Sequence, residues 1–148
     1  MRLLVCLDFS PLSDRVVAEA IALARPSGAS IVLLHVVRTE PALTTRGSGP
    51  PGGHRVPPAH VDEVGAKVAA VAERMRAEGL EVRPELRLAD GEIHDAILEE
   101  IATHQASYVV IGSHGHSQVF ELVIGSVTRG VLRGARVPVL VVADPELA

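Results

Sequence analysis

Four apolar runs constrain what this chain can fold into more than any other feature: Leu3 to Leu7, Ile31 to Val37 (apolar except His35), Tyr108 to Ile111 and Val137 to Val142. A strand with one wet face alternates apolar and polar residues, whereas a strand covered on both faces is apolar throughout. Between these runs lie segments of helical period. Val16, Val17, Ala20, Ile21 and Ala24 share one face, as do Val61, Val64, Val68, Val71 and Met75, and again Ile93, Ile97, Leu98 and Ile101. Regular β–α alternation predicts a parallel sheet with helices on both faces, joined by right-handed crossovers. A fifth strand is expected at Glu81 to Leu88, where alternation and Pro84 mark a half-exposed edge.

The helix ends carry their own signals. Ser10-Pro11 predicts an N-cap followed by the first helical residue, and Pro26 with Gly28 closes that helix. Gly79 ends the second helix, Asp90-Gly91 opens the third, and Val127 to Leu132 form the last. Residues 38–60 are rich in Pro, Gly, Ser and Thr without a period, which predicts a long mobile connection. Thr44, Thr45 and Ser48 within it read as solvated residues. At 148 residues the chain is expected to be one domain, residues 1–148, burying roughly 68–70% of its unfolded surface. Aromatic residues are 2% of the total, so the core must be aliphatic.

Composition narrows the function classes. The formal charge is −4 and no basic run exists, which argues against nucleic acid as a partner. No apolar segment approaches ~18 residues, and Asp8 interrupts the first run, so neither membrane insertion nor a signal peptide is expected. The single cysteine, Cys6, rules out an internal disulfide and reads as a small buried hydrophobe. The expected location is the cytoplasm.

The chemistry concentrates in Gly112-Ser-His-Gly115, followed by Gly125-Ser126. These residues lie between an apolar strand and a helix start, where glycines let main-chain N–H groups approach an anion. Ser126 adds a hydroxyl where the first helical amides lack partners. Two familiar phosphate cradles are excluded. The only lysine is Lys67, so there is no G-x-x-x-x-G-K-[ST], and no G-x-G-x-x-G follows the first strand.

The pattern present, G-x2-G-x9-G-[ST], closely resembles the nucleotide loop of the universal stress protein family, whose members with this loop bind ATP. The resemblance spans nearly the whole chain apart from 38–60. It implies a five-stranded parallel sheet of order 3-2-1-4-5 with the adenine nucleotide alpha hydrolase-like fold. In that order the C-terminal ends of the first and fourth strands flank a crevice, and Asp8 and Gly112 meet there. The resemblance also implies the binding set: Leu7 and Asp8 beside the nucleoside, Val36 offering main-chain groups to adenine, and Ile111, Gly112, Gly115, His116, Gly125, Ser126 and Val127 around the phosphates. The cofactor would be ATP, with or without Mg²⁺. It further implies a homodimer paired through the fifth strand, Val137 to Val142, and leaves room for an unidentified protein partner.

Each residue has a plainer role beside the functional one. Asp8 caps the following helix, Val36 is core, and the glycines make turns. His35 reads as a hydrogen-bonded strand-end histidine. His114 and His116 form an H-x-H that is a weak metal signal alone; a phosphate donor suits His116 better. No general base, nucleophile–histidine pair or P-loop lysine is evident, so a nucleotide-dependent stress regulator with at most slow hydrolysis leads. A phosphoryl- or adenylyl-transfer enzyme would need groups from the 38–60 connection, where His54 and His60 are the candidates. A nucleotide-free dimeric scaffold is the third class.

Overall fold

The computed structural model describes residues 1–39, 56–114 and 124–144. In chain order the elements are β1 (Arg2–Leu7), α1 (Ser13–Ser27), β2 (Ser30–Arg38), α2 (Pro58–Ala77), β3 (Val82–Ala89), α3 (Ile93–Thr103), β4 (Tyr108–Gly112), α4 (Ser126–Gly134) and β5 (Val139–Val142). The strands form one all-parallel sheet in the order β3-β2-β1-β4-β5, as the family resemblance implies.

Alternate residues of each apolar run supply opposite faces of the sheet. Leu3, Val5, Leu7, Ile31, Leu33 and Val110 pack with Val16, Ala20 and Ala24 of α1 and Val68, Ala72 and Met75 of α2. Leu4, Val32, Leu34, Val109 and Ile111 pack with Ile97 of α3 and Val131 of α4. The central strands are therefore apolar throughout because neither face is wet. β3 is an edge strand carrying Pro84, whose missing donor costs nothing on the open side.

Three boundaries differ from expectation. Ser10-Pro11 do not start α1. The Asp8 carboxylate accepts the Ser10 N–H at 2.9 Å and the Ser13 hydroxyl at 3.1 Å, holding Ser10 to Leu12 in a turn before the helix. α3 starts two residues beyond Gly91, with Glu92 at the N-cap. β5 is shorter than Val137 to Val142, because Pro138 contributes only its carbonyl, accepting the Val109 N–H at 3.0 Å. Pro26 sits inside the last turn of α1, and Gly28 at φ 63 closes that helix, a left-handed conformation suited to glycine.

The connection expected at 38–60 is bounded more tightly. Thr39 is anchored by its N–H and hydroxyl to the Ala89 carbonyl at 2.7 and 3.0 Å, and Pro58 to His60 belong to α2. Thr44, Thr45, Ser48 and His54 lie outside the described residues.

Candidate functional site

β1 and β4 are hydrogen-bonded neighbours, with Leu3, Leu4 and Val5 opposite Tyr108, Val109 and Val110. β1 continues into α1 on one face of the sheet, and β4 continues toward α4 on the other. Their C-terminal ends therefore part, and a crevice opens between the two connections. Its volume is 270 Å³, close to the lower bound of roughly 300 Å³ for small-molecule pockets.

Leu7, Asp8, Val36, Ile111, Gly112, Gly125, Ser126 and Val127 all line it. Gly115 and His116 lie outside the described residues. The walls also include residues whose place there sequence did not show. Ile93 and Ile97 belong to the crevice as well as to the packed face of α3, and with Cys6, Leu34 and Val36 they make one side apolar. Ser10, His114 and Thr128 add polar groups. For Ser10 the available signal was its place two residues after Asp8; Thr128 had none beyond its helix.

Gly112 stands in tight quarters, and Gly125 lies in ordinary contact with the chain around it. A Cβ on Gly112 would stand 3.0 Å from Leu12 Cδ2, so the missing side chain admits Leu12 against the end of β4. A Cβ on Gly125 would lie 3.4 Å from His114 Cα and 3.5 Å from the Ser113 carbonyl oxygen. The Gly125 N–H donates to that carbonyl at 2.7 Å, clasping the start of α4 to the end of β4. Thr128, 3% exposed, reinforces the clasp by donating its hydroxyl to the Gly112 carbonyl at 2.7 Å. Ser113 N–H bonds the Val142 carbonyl at 2.8 Å, so β5 braces the same turn.

α4 is capped by Gly125, which offers no side chain to accept from the first-turn amides. The Arg129 N–H donates to the Gly125 carbonyl at 2.9 Å. Those amides and the positive end of the helix dipole lie at the crevice wall, where Gly125, Ser126 and Val127 lie. This end of the crevice suits an anion; the apolar end suits a flat ring.

The remaining titratable groups take plainer roles. The Asp8 carboxylate lines the crevice and also holds the turn before α1, so its two roles coexist. His35 donates from Nδ1 to the Leu7 carbonyl at 2.7 Å and packs against Phe9 with ring centres 4.9 Å apart, the satisfied strand-end role expected. Burial pushes the Cys6 thiol up to about 12, which keeps it protonated near neutral pH and poor as a nucleophile or ligand. Among the described residues no cluster of three or more His, Cys, Asp or Glu could hold a metal ion. His60 is an exposed residue of the first turn of α2 and is not among the crevice residues.

Sheet order, helix placement and crevice define a doubly wound α/β protein of the adenine nucleotide alpha hydrolase-like class. A model of the universal stress protein family matches residues 1–143, and the chain belongs to that family. It is 33% identical over 148 residues to universal stress protein YxiE of Bacillus subtilis, covering 95% of this chain and 97% of the relative. A universal stress protein structure from Archaeoglobus fulgidus superposes with a TM-score of 0.75 at 27% identity, covering 95% of this chain and 97% of the other. The universal stress protein from Archaeoglobus fulgidus in complex with dAMP gives a TM-score of 0.71 at 25% identity, covering 95% and 96%. No helix among the described residues is long and apolar enough to cross a membrane.

Proposed function

We propose that this protein is an adenine-nucleotide-binding regulator of the stress response whose crevice takes ATP, with or without Mg²⁺. The observation that carries this reading is the meeting of three elements on one 270 Å³ crevice: the Asp8 carboxylate, the apolar wall at Val36 and Ile93, and the α4 start at Gly125 to Val127. The groups fit the ligand they would hold. Main-chain amides at an uncapped helix start match phosphate, a carboxylate accepts from sugar hydroxyls, and an aliphatic wall matches a purine. A relative crystallised with dAMP supports the same reading.

Gly115 and His116 would complete the phosphate end from the loop between β4 and α4. Binding alone involves no bond cleavage, and turnover is expected to be slow at most. Occupancy would act through a homodimer paired along β5, in the cytoplasm, with a further protein partner reading the state. The test is extraction of nucleotide from the purified protein followed by mass identification. Adenine nucleotide in stoichiometric amount is the expected result; a crevice that retains none and binds none on ATP titration would reject the reading.

A further inference from the structure

Ser10 is 6% exposed, and its Oγ, shielded from solvent, has no hydrogen-bond partner among the described residues. A buried hydroxyl in such a state is rare, because its lost hydration goes uncompensated. The one comparable atom among the described residues, His104 Nε2, stands 3.0 Å from a Glu100 carboxylate oxygen. Ser10 instead belongs to the crevice wall, between Asp8 and Leu12.

The chain holds it there with some force. Phe9, immediately before it, has φ 57, a left-handed conformation that residues other than glycine and asparagine seldom adopt. The Phe9 ring against His35 and the Ser10 N–H bonded to the Asp8 carboxylate fix the turn. Strained backbone next to an unsatisfied buried polar group is the signature of a preorganised binding position.

Resting on the nucleotide reading above, we propose that Ser10 is a ligand-contacting, affinity-determining residue: a turn about its χ1 carries the shielded hydroxyl onto an oxygen of the nucleotide's sugar–phosphate portion. A serine hydroxyl is both donor and acceptor, so hydroxyl and phosphate oxygens are equally suitable partners. The location favours that portion over the base. Leu12, two residues on, packs against Gly112 at the end of β4, whereas the apolar wall lies across the crevice on α3 and β2.

The experiment pairs calorimetric titration of the full chain and Ser10→Ala, using ATP and 2′-deoxy-ATP, with thermal melting without nucleotide. Ser10→Ala is expected to melt at or above the wild-type temperature, because no side-chain bond of Ser10 among the described residues is lost. Its ATP affinity is expected to be about 10-fold lower, equivalent to about 1.4 kcal/mol. If 2′-deoxy-ATP affinity is unaffected, the partner is the 2′-hydroxyl; an equal fall for both assigns another sugar or phosphate oxygen. Unchanged affinity for ATP overturns the proposal, as does a melting temperature several degrees lower, which would reveal a partner within the protein. Wild-type protein that binds neither nucleotide rejects the functional reading itself.

Discussion

Asp8 combines two duties that different substitutions separate. Its carboxylate holds the Ser10 N–H and the Ser13 hydroxyl, and the same side chain lines the crevice. Asp8→Ala is expected to lower stability by about 1 kcal/mol, the scale of a lost cap, and to weaken ATP binding by about 1–3 kcal/mol, the scale of a hydrogen bond to a charged group. Asp8→Asn keeps an acceptor for the turn, so it should retain stability while losing affinity. Urea denaturation beside calorimetry checks both; an affinity untouched in Asp8→Ala would leave Asp8 only its role in the turn before α1. Cys6 provides a second residue-scale test. Burial raises its thiol from the ordinary 9.0 to about 12, so the unfolded chain releases this proton at lower pH than the folded one. Its contribution to stability is therefore full below pH 9 and declines as pH rises from about 9 towards 12. The stability difference between wild type and Cys6→Ala, followed by denaturant titration across that window, should shift against the wild type.

At the scale of elements, α3 and α4 meet through glycine. A Cβ on Gly130 would come within 2.6 Å of His94 Cδ2 and 2.7 Å of His94 Cβ, and one on Gly134 would collide with Leu98 Cδ1. Gly130→Ala is thus expected to destabilise the fold by about 1–3 kcal/mol, the scale of overpacking, although alanine is the better helix former by about 1 kcal/mol. Gly134→Ala should cost less, because the leucine tip can rotate aside. Thermal melts of both variants decide the order, and a neutral Gly130→Ala would mean that the helices separate easily. This contact was not legible in the sequence. A glycine pair four apart reads the same whether it faces solvent or a helix, and which helix lies opposite depends on the completed sheet. The strands were legible because burial on both faces leaves uninterrupted apolar runs. The start of α1 was misread because Asp8, two residues upstream, captures the Ser10 N–H in a turn and delays the helix. Among the residues that line the crevice, Asp8, Gly112, Gly125 and Ser126 stood out through the strand ends and the glycine spacing, whereas Leu7, Val36, Ile111 and Val127 came from the family resemblance. Ser10, Thr128, Ile93 and Ile97 were not legible, since their roles come from what packs across the crevice.

At the scale of the whole molecule, β5 is the second edge of the sheet, and Leu140 on it is 40% exposed. Described residues of β5 include no charge to discourage pairing. Leu140→Lys is expected to convert a homodimer to monomer in sedimentation equilibrium, and a wild-type protein monomeric at micromolar concentration would show that this edge is not an interface. β5 also braces the turn after β4 through the Val142 carbonyl and Ser113 N–H, so if the proposed dimer forms along β5, its loss should weaken ATP binding too. The central claim is that the crevice between β1 and β4 binds adenine nucleotide at the α4 start. Calorimetric titration of ATP into wild type and Gly125→Val tests it most directly, because a β-branched side chain there adds bulk beside His114 and the Ser113 carbonyl at the start of α4. The expected result is saturable binding of one ATP per chain in the wild type and at least about ten-fold weaker binding in a folded Gly125→Val. Equal affinity in the two proteins, or no saturable binding in the wild type, would contradict it.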